Sequence, residues 1–181
     1  MDSIRQMQKD TLYKAIESMS NEETAEKIVC RETEIIGEQG NEEWVNSTMS
    51  RLEKQFDAAT VKEIRMKCQC GYGIDERLEL LKDLLASSSN LEEFADMQKA
   101  QEAGLFYRDG SLYLKFGFCP CPMLMDVKKL DTMMWCQCTA GYSKVLFEKA
   151  FGCQVEVELL KSIKAGDDIC LMRILPEITT W

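Results

Sequence analysis

The chain has 181 residues, a net charge of −9 at neutral pH and no histidine. A chain of this length can bury the core of one domain, and it has no apolar run long enough to cross a bilayer. The missing imidazole excludes Ser–His and Cys–His catalysis and every metal site with a histidine ligand, while the negative charge, with no basic stripe, argues against a nucleic-acid partner.

The N-terminal part of the chain is predicted to be mainly helical. Residues 3–19 form a first helix, and the capping box Ser20–Glu23 starts a second helix that runs past Ile36 and ends at Gly37. A third helix carries a buried stripe between Trp44 and Phe56. Each of these helices has one apolar face and therefore needs a packing partner.

Three more helices complete this half. The capping box Thr60–Glu63 starts a helix that runs into Cys68, and Asp75 caps a leucine-rich helix. The last helix covers residues 91–103 and stops at Gly104.

The C-terminal part carries strand signals around one helix. Arg108–Ser111 has hairpin turn chemistry between apolar segments, and residues 139–151 form a helix with a broad apolar face. Strands follow at Cys153–Ile163 and Ile169–Leu175, joined by a Gly-Asp turn. The sequence therefore predicts one α+β domain over residues 1–181, in which a helical half (1–104) packs on an antiparallel sheet with a helix–hairpin unit (105–181).

Nine cysteines include three Cys-x-Cys pairs, each at a predicted element end: Cys68/Cys70, Cys119/Cys121 and Cys136/Cys138. In an extended segment, residues two apart face the same side, so both thiols of a pair can reach one centre. We expect the three pairs to converge and four of the six thiolates to bind a metal ion. Zinc is the expected metal because four thiolates complete its tetrahedral site without histidine.

Two alternatives remain open for these thiols. They are buried small hydrophobic side chains, as free cysteine often is, or they carry redox or nucleophilic chemistry. Cys136 and Cys138 are the candidates for the second alternative because they lie at a predicted helix start, where the helix dipole stabilises a thiolate.

The segment from Cys138 to Cys170 resembles known families. The pattern Cys138-x-x-Gly141-Tyr142, a helix ending at Gly152, and Gly166-Asp167-x-x-Cys170 resembles vinyl-reductase-type small-molecule-binding domains. The resemblance implies an antiparallel α+β fold, an apolar ligand cavity and often a cysteine-based metal site. Ser162 stands where that family commonly has a cysteine, so a metal site here would have to be rebuilt from the Cys-x-Cys pairs.

Two further resemblances bear on function. The whole chain resembles an uncharacterised family of cysteine-rich bacterial proteins with a domain-of-unknown-function label. Its last hairpin is similar to that of amino-thiazoline carboxylate hydrolases, which keeps a cysteine-dependent enzyme as an alternative. No catalytic residue is assigned.

The expected function is a binding or sensor domain with a thiolate zinc site and an apolar small-molecule pocket. The pocket is predicted between the 139–151 helix and the sheet, lined by Phe116, Phe118, Met134, Trp135 and Tyr142. A small apolar molecule is the expected partner, without nucleic acid or membrane, and a homodimer is left open. The alternatives are a hydrolase, a thiol redox protein, or an interaction module whose cysteines only pack. The N-terminus lacks a signal-peptide core, so a cytoplasmic location is expected.

Overall fold

A computed structural model of the protein describes residues 2–29 and 40–177, and the predicted helix end at Ile36–Gly37 lies outside these ranges. The described residues before residue 105 form helices without strands, and the sheet follows. The helices are α1 (Asp2–Met19), α2 (Glu22–Val29), α3 (Asn41–Gln55), α4 (Ala58–Lys67), α5 (Ile74–Ala86), α6 (Leu91–Asp96), α7 (Gln98–Glu102) and α8 (Gln137–Phe151). The strands are β1 (Leu105–Arg108), β2 (Ser111–Phe116), β3 (Val155–Lys161) and β4 (Cys170–Pro176).

The residues that cap α2 and α4 differ from the predicted ones. Asn21, not Ser20, accepts a hydrogen bond from the backbone N–H of Thr24 at 2.9 Å. Asp57, not Thr60, caps α4, and its carboxylate accepts from the N–H of Thr60 at 2.8 Å. Asn and Asp are preferred N-cap residues because their short side chains accept from the N–H groups of the first helical turn.

Two other helix boundaries also differ. Gly73, in the left-handed conformation at φ 65°, precedes α5, and Asp75 lies inside its first turn instead of capping it. The predicted helix over 91–103 is two helices, because Met97 between them is extended with ψ 137°. Its predicted start is confirmed, since the Asn90 side chain accepts from the N–H of Glu93 at 2.9 Å.

The sheet confirms the predicted antiparallel C-terminal half. Its order is β1-β2-β4-β3, and all three neighbouring pairs are antiparallel. Asp109 and Gly110 both have positive φ angles, as a tight two-residue hairpin turn requires. A register shift after Leu159 interrupts the regular alternation of β3, so this side chain is only half-buried.

Helix α8 is the centre of the packing. It contacts α4 and α5 on one side and β3 and β4 on the other. Gly141 permits the close approach to α4, since a Cβ there would lie 1.9 Å from the carbonyl oxygen of Met66. Helix α8 contributes side chains to both hydrophobic clusters, one around Trp44 and Trp135 and one against the sheet. In the described part of the chain, no helix is both long and apolar enough to traverse a bilayer.

Candidate functional site: a thiol pair and its pocket

Cys121 and Cys138, here called the thiol pair, each shift the pKa of the other more strongly than any other residue does. Cys138 lies in the first turn of α8 and is buried, while Cys121 lies between Pro120 and Pro122 in the segment after β2 and is half-buried. A hydrogen bond from the Cys121 thiol is the largest cause of the lowered pKa of Cys138, and the same interaction is the largest cause of the raised pKa of Cys121. Cys138 is therefore the member that ionises first, and Cys121 keeps its proton.

Arg65 supplies a positive charge beside Cys138. Its side chain is fully buried, its Cζ lies 3.8 Å from the centroid of the Trp135 ring, and its Nη2 donates to the Trp135 carbonyl at 3.0 Å. The Nε and Nη1 atoms have no oxygen or nitrogen acceptor among the described residues. The guanidinium lowers the pKa of Cys138, after the hydrogen bond from Cys121. A buried cation needs a countercharge, and the guanidinium favours the ionised form of two neighbouring thiols, Cys138 and Cys68.

Arg65 was not among the predicted site residues, although the sequence contains a signal for it. Val61, Ile64 and Cys68 form the buried face of α4 and its end, and Arg65 shares that face. An arginine inside an apolar stripe is seldom buried unless it is paired. The position was therefore a candidate for a partner of opposite charge.

The remaining thiols of the predicted metal site have different surroundings. Cys68 is buried at the end of α4, donates to the Ile64 carbonyl at 3.1 Å, and has a pKa raised to about 11 by burial. Cys136 lies 3.2 Å from the hydroxyl of Ser162, and burial raises its pKa to about 12. Burial also raises the pKa of Cys119. These thiols stay protonated at neutral pH.

The structure brings five of the six paired cysteines into one hydrophobic cluster: Cys68, Cys119, Cys121, Cys136 and Cys138. Cys70 lies apart from that cluster and lines the pocket near Tyr142. Within residues 2–29 and 40–177, no three cysteine, aspartate or glutamate side chains are arranged to hold a metal ion. Zinc ligation by four of the six therefore stays a prediction, and it would require side chains to move.

A pocket of about 510 Å³ lies beside the thiol pair, between α5, α8 and the sheet. Three of the residues predicted to line it do so, namely Phe116, Phe118 and Tyr142. Trp135 is instead fully buried against Trp44, with ring centroids 5.4 Å apart in an edge-to-face arrangement. Met134 lines a smaller cavity next to Phe56. The helical turn before α8 directs both side chains toward the other cluster.

Cys70, Cys121 and Cys138 contribute to the wall of this pocket, which we call the thiol pocket. Two exposed aromatic side chains also line it, Tyr72 (72% exposed) and Phe118 (65%). The Tyr142 hydroxyl donates to the Tyr72 carbonyl at 3.0 Å, and the Arg77 guanidinium lies 5.4 Å from the Tyr142 ring centroid. The pocket thus combines apolar walls with the cationic side chains of Arg77 and Lys115, the carboxylate of Glu102 and an ionisable thiol.

Comparison with known proteins gives one match. A family model described as a family of unknown function (DUF6144) matches residues 1–181. No curated protein and no solved structure matches the chain. The resemblances to vinyl-reductase-type domains and to amino-thiazoline carboxylate hydrolases therefore stay predictions.

Proposed function

The chain belongs to the DUF6144 family of unknown function, and we propose that it is a binding or sensor domain for a small apolar molecule held in the thiol pocket. The observation that carries this proposal is the pocket itself, whose 510 Å³ falls within the range of roughly 300–1,000 Å³ that is usual for small-molecule sites. A packed core would have left no space of this size between helix and sheet.

The lining of the pocket supports an apolar ligand. Leu81, Leu105, Leu114, Leu146 and Phe147 form much of its wall. Burying apolar ligand surface against such a wall stabilises the complex by about 25 cal/mol for each Å² removed from water. Arg77, Lys115, Glu102 and the thiol pair are polar groups of the wall that would orient the ligand.

A thiolate zinc centre is the second part of the proposal. Its support is the clustering of five paired cysteines and the free state of all eight cysteines that the structure describes. Zinc would displace the thiol protons and draw Cys119 and Cys136 toward the thiol pair, and Arg65 would offset part of the negative charge of the four thiolates. Free thiols also suit the reducing cytoplasm that we propose as the location.

Titration with zinc tests the metal separately from the pocket. We expect the apo protein to bind one zinc ion and to melt at a higher temperature, because an ion that binds only the folded state stabilises it. Cys136→Ser should lose both effects, whereas Cys153→Ser, which changes a thiol outside the cluster, should keep them. Equal zinc binding by the two variants would contradict the proposed ligand set.

Nile red binding tests the pocket. Gly117 lines it, and a Cβ at Gly117 meets no atom within 4 Å, so Gly117→Trp adds a large side chain without a clash at the backbone. We expect wild type to enhance the dye's fluorescence and Gly117→Trp to weaken binding about tenfold or more, a loss of roughly 1.4 kcal/mol. Gly40→Trp is the matched control, since Gly40 is equally open but lies outside the pocket. Equal binding by both variants would refute the proposed site.

A cysteine-dependent enzyme is the alternative function. It is favoured by the lowered pKa of Cys138 together with its position at the N-terminus of α8 and in the pocket wall. A thiolate is the nucleophilic form of cysteine. Loss of a measured activity on selective alkylation of Cys138 would support the enzyme, and no chemical turnover of a bound ligand would favour the binding domain.

A further inference from the structure

We propose that Gln8 makes the thiol pocket selective for an apolar molecule that carries a hydroxyl group, which pairs with the side-chain amide of Gln8. This inference names the chemical class of the ligand, and it rests on the proposed function because it concerns the same pocket. Gln8 belongs to α1 and was not among the predicted site residues.

Gln8 lies on the buried face of α1. Leu12, Ala15 and Ile16 follow it at the spacing of one helical face, and all four residues are at most 5% exposed. The other three are apolar, and glutamine is a residue that is mostly exposed in folded proteins. Helix α1 packs against the turn Pro122–Leu124, and Pro122 lines the thiol pocket as Gln8 does. Gln8 therefore reaches the pocket from the side of this turn.

The side-chain amide of Gln8 lacks a partner for its oxygen. Only 2% of the residue is exposed, and its Oε1 atom has no hydrogen-bond partner among the described residues. A buried amide oxygen without a partner loses its hydration and gains nothing in return, and such groups are rare in folded proteins. The thiol pocket, which Gln8 lines, is the space from which a ligand can supply the missing partner.

A hydroxyl group suits this amide in both of its orientations. Rotation about the last side-chain bond exchanges Oε1 and Nε2, so the amide can present either an acceptor or a donor to the pocket. A hydroxyl donates to Oε1 or accepts from Nε2, whereas a carboxylate only accepts and an ammonium group only donates. The amide is also neutral and offers no countercharge to a buried ion. Gln8 therefore favours an alcohol or a phenol over a charged ligand group.

The charged side chains of the pocket are placed differently. Arg77, Glu102 and Lys115 are exposed, so water competes with the ligand for them. The Tyr142 hydroxyl already donates to the Tyr72 carbonyl at 3.0 Å. Gln8 is shielded from bulk water, and a hydrogen bond formed there discriminates strongly between ligands that have a hydroxyl and ligands that lack one.

Two naphthalene derivatives, 2-naphthol and 2-methylnaphthalene, are the matched probes that test this role. They share one ring system and differ only by a hydroxyl in place of a methyl group. Displacement of Nile red gives the dissociation constant of each probe. The constant for 2-methylnaphthalene divided by the constant for 2-naphthol measures the selectivity for the hydroxyl. The different hydration of the two probes cancels when this ratio is compared between two proteins.

Gln8→Met is the informative variant, because methionine keeps the length and the helix propensity of glutamine but has no amide. We expect the ratio to fall about tenfold or more from wild type to Gln8→Met, since the hydroxyl loses its partner. Gln6→Met is the matched control. Gln6 lies on the same helix but is exposed, and its amide donates to the Asp10 carboxylate at 2.8 Å. It should keep the wild-type ratio.

An unchanged ratio in folded Gln8→Met, or an equal fall in Gln6→Met, would overturn the role of Gln8. Binding of the probes to wild type in either case leaves the proposed function intact. If wild type binds neither Nile red nor the two probes, the proposed function fails and this inference fails with it. Circular dichroism checks that each variant folds, and Gln8→Leu takes the place of Gln8→Met if the latter does not.

Discussion

Replacement of Arg65 by methionine isolates the effect of the buried charge on Cys138. The guanidinium lies against the Trp135 ring and is fully buried, so methionine keeps most of the apolar contact while the positive charge is lost. The Cys138 thiolate would then be a buried anion without a cation, and it should take up a proton. Because a neutral thiol is tolerated in a core, we expect the variant to fold.

The size of the effect follows from the interaction that is removed. A hydrogen bond or ion contact to a charged group contributes roughly 1.5–3 kcal/mol. Since about 1.4 kcal/mol corresponds to a factor of ten, the ratio of thiolate to thiol at Cys138 should fall by about ten- to a hundredfold at a given pH. The hydrogen bond from Cys121 remains, and it is the larger cause of the lowered pKa of Cys138. The pKa of Cys138 should therefore rise but remain below that of an ordinary thiol.

The rate of Cys138 alkylation by iodoacetamide, followed by mass spectrometry as a function of pH, measures this change. Wild type should react with a profile whose midpoint lies well below that of an ordinary thiol, and Arg65→Met should move the midpoint to higher pH. Arg77→Met is the control, because Arg77 lies beside Tyr142 and is not among the groups that shift the pKa of Cys138. An unchanged profile in a folded Arg65→Met protein would refute the argument that Arg65 holds Cys138 as a thiolate.

Two further predictions concern stability. Gly141→Ala should lower the free energy of unfolding by about 3 kcal/mol or more, because its Cβ would lie 1.9 Å from the Met66 carbonyl oxygen. Urea denaturation measures this free energy. Gly117→Ala is the control and should change the free energy of unfolding little, since a Cβ at Gly117 meets no atom within 4 Å. The folded state should also lose stability as pH rises from about 9 toward 11, since the pKa of Cys68 is raised to about 11 from 9.0 and the unfolded thiol ionises first. The slope contributed by one such thiol is about 1.4 kcal/mol per pH unit, and Cys68→Ala should reduce it; an unchanged slope would contradict the assigned pKa.

Local patterns in the sequence predicted the elements around α8 correctly. The Asp109-Gly110 turn, the alternation at Val155 and Val157, and the apolar face of residues 139–151 each specify a short segment through its own chemistry. Helix boundaries were less well predicted. A capping pattern fits several registers, and which side chain accepts the N–H depends on the path of the chain before the helix, as at Asn21 and Asp57.

For the candidate site too, some features follow from the sequence alone and others only from the tertiary structure. The sequence by itself determined the α+β class, the spacing of the cysteine pairs and the absence of histidine, because these follow from residue identity and short-range periodicity. Only the tertiary structure decided that Cys121 and Cys138 both line the pocket and that Trp135 faces away from it. It also decided that Arg65 lies on the Trp135 ring and close enough to Cys138 to lower its pKa. Arg65 and Trp135 are 70 residues apart in the chain, and no local pattern encodes which buried charge meets which buried thiol when the helices pack.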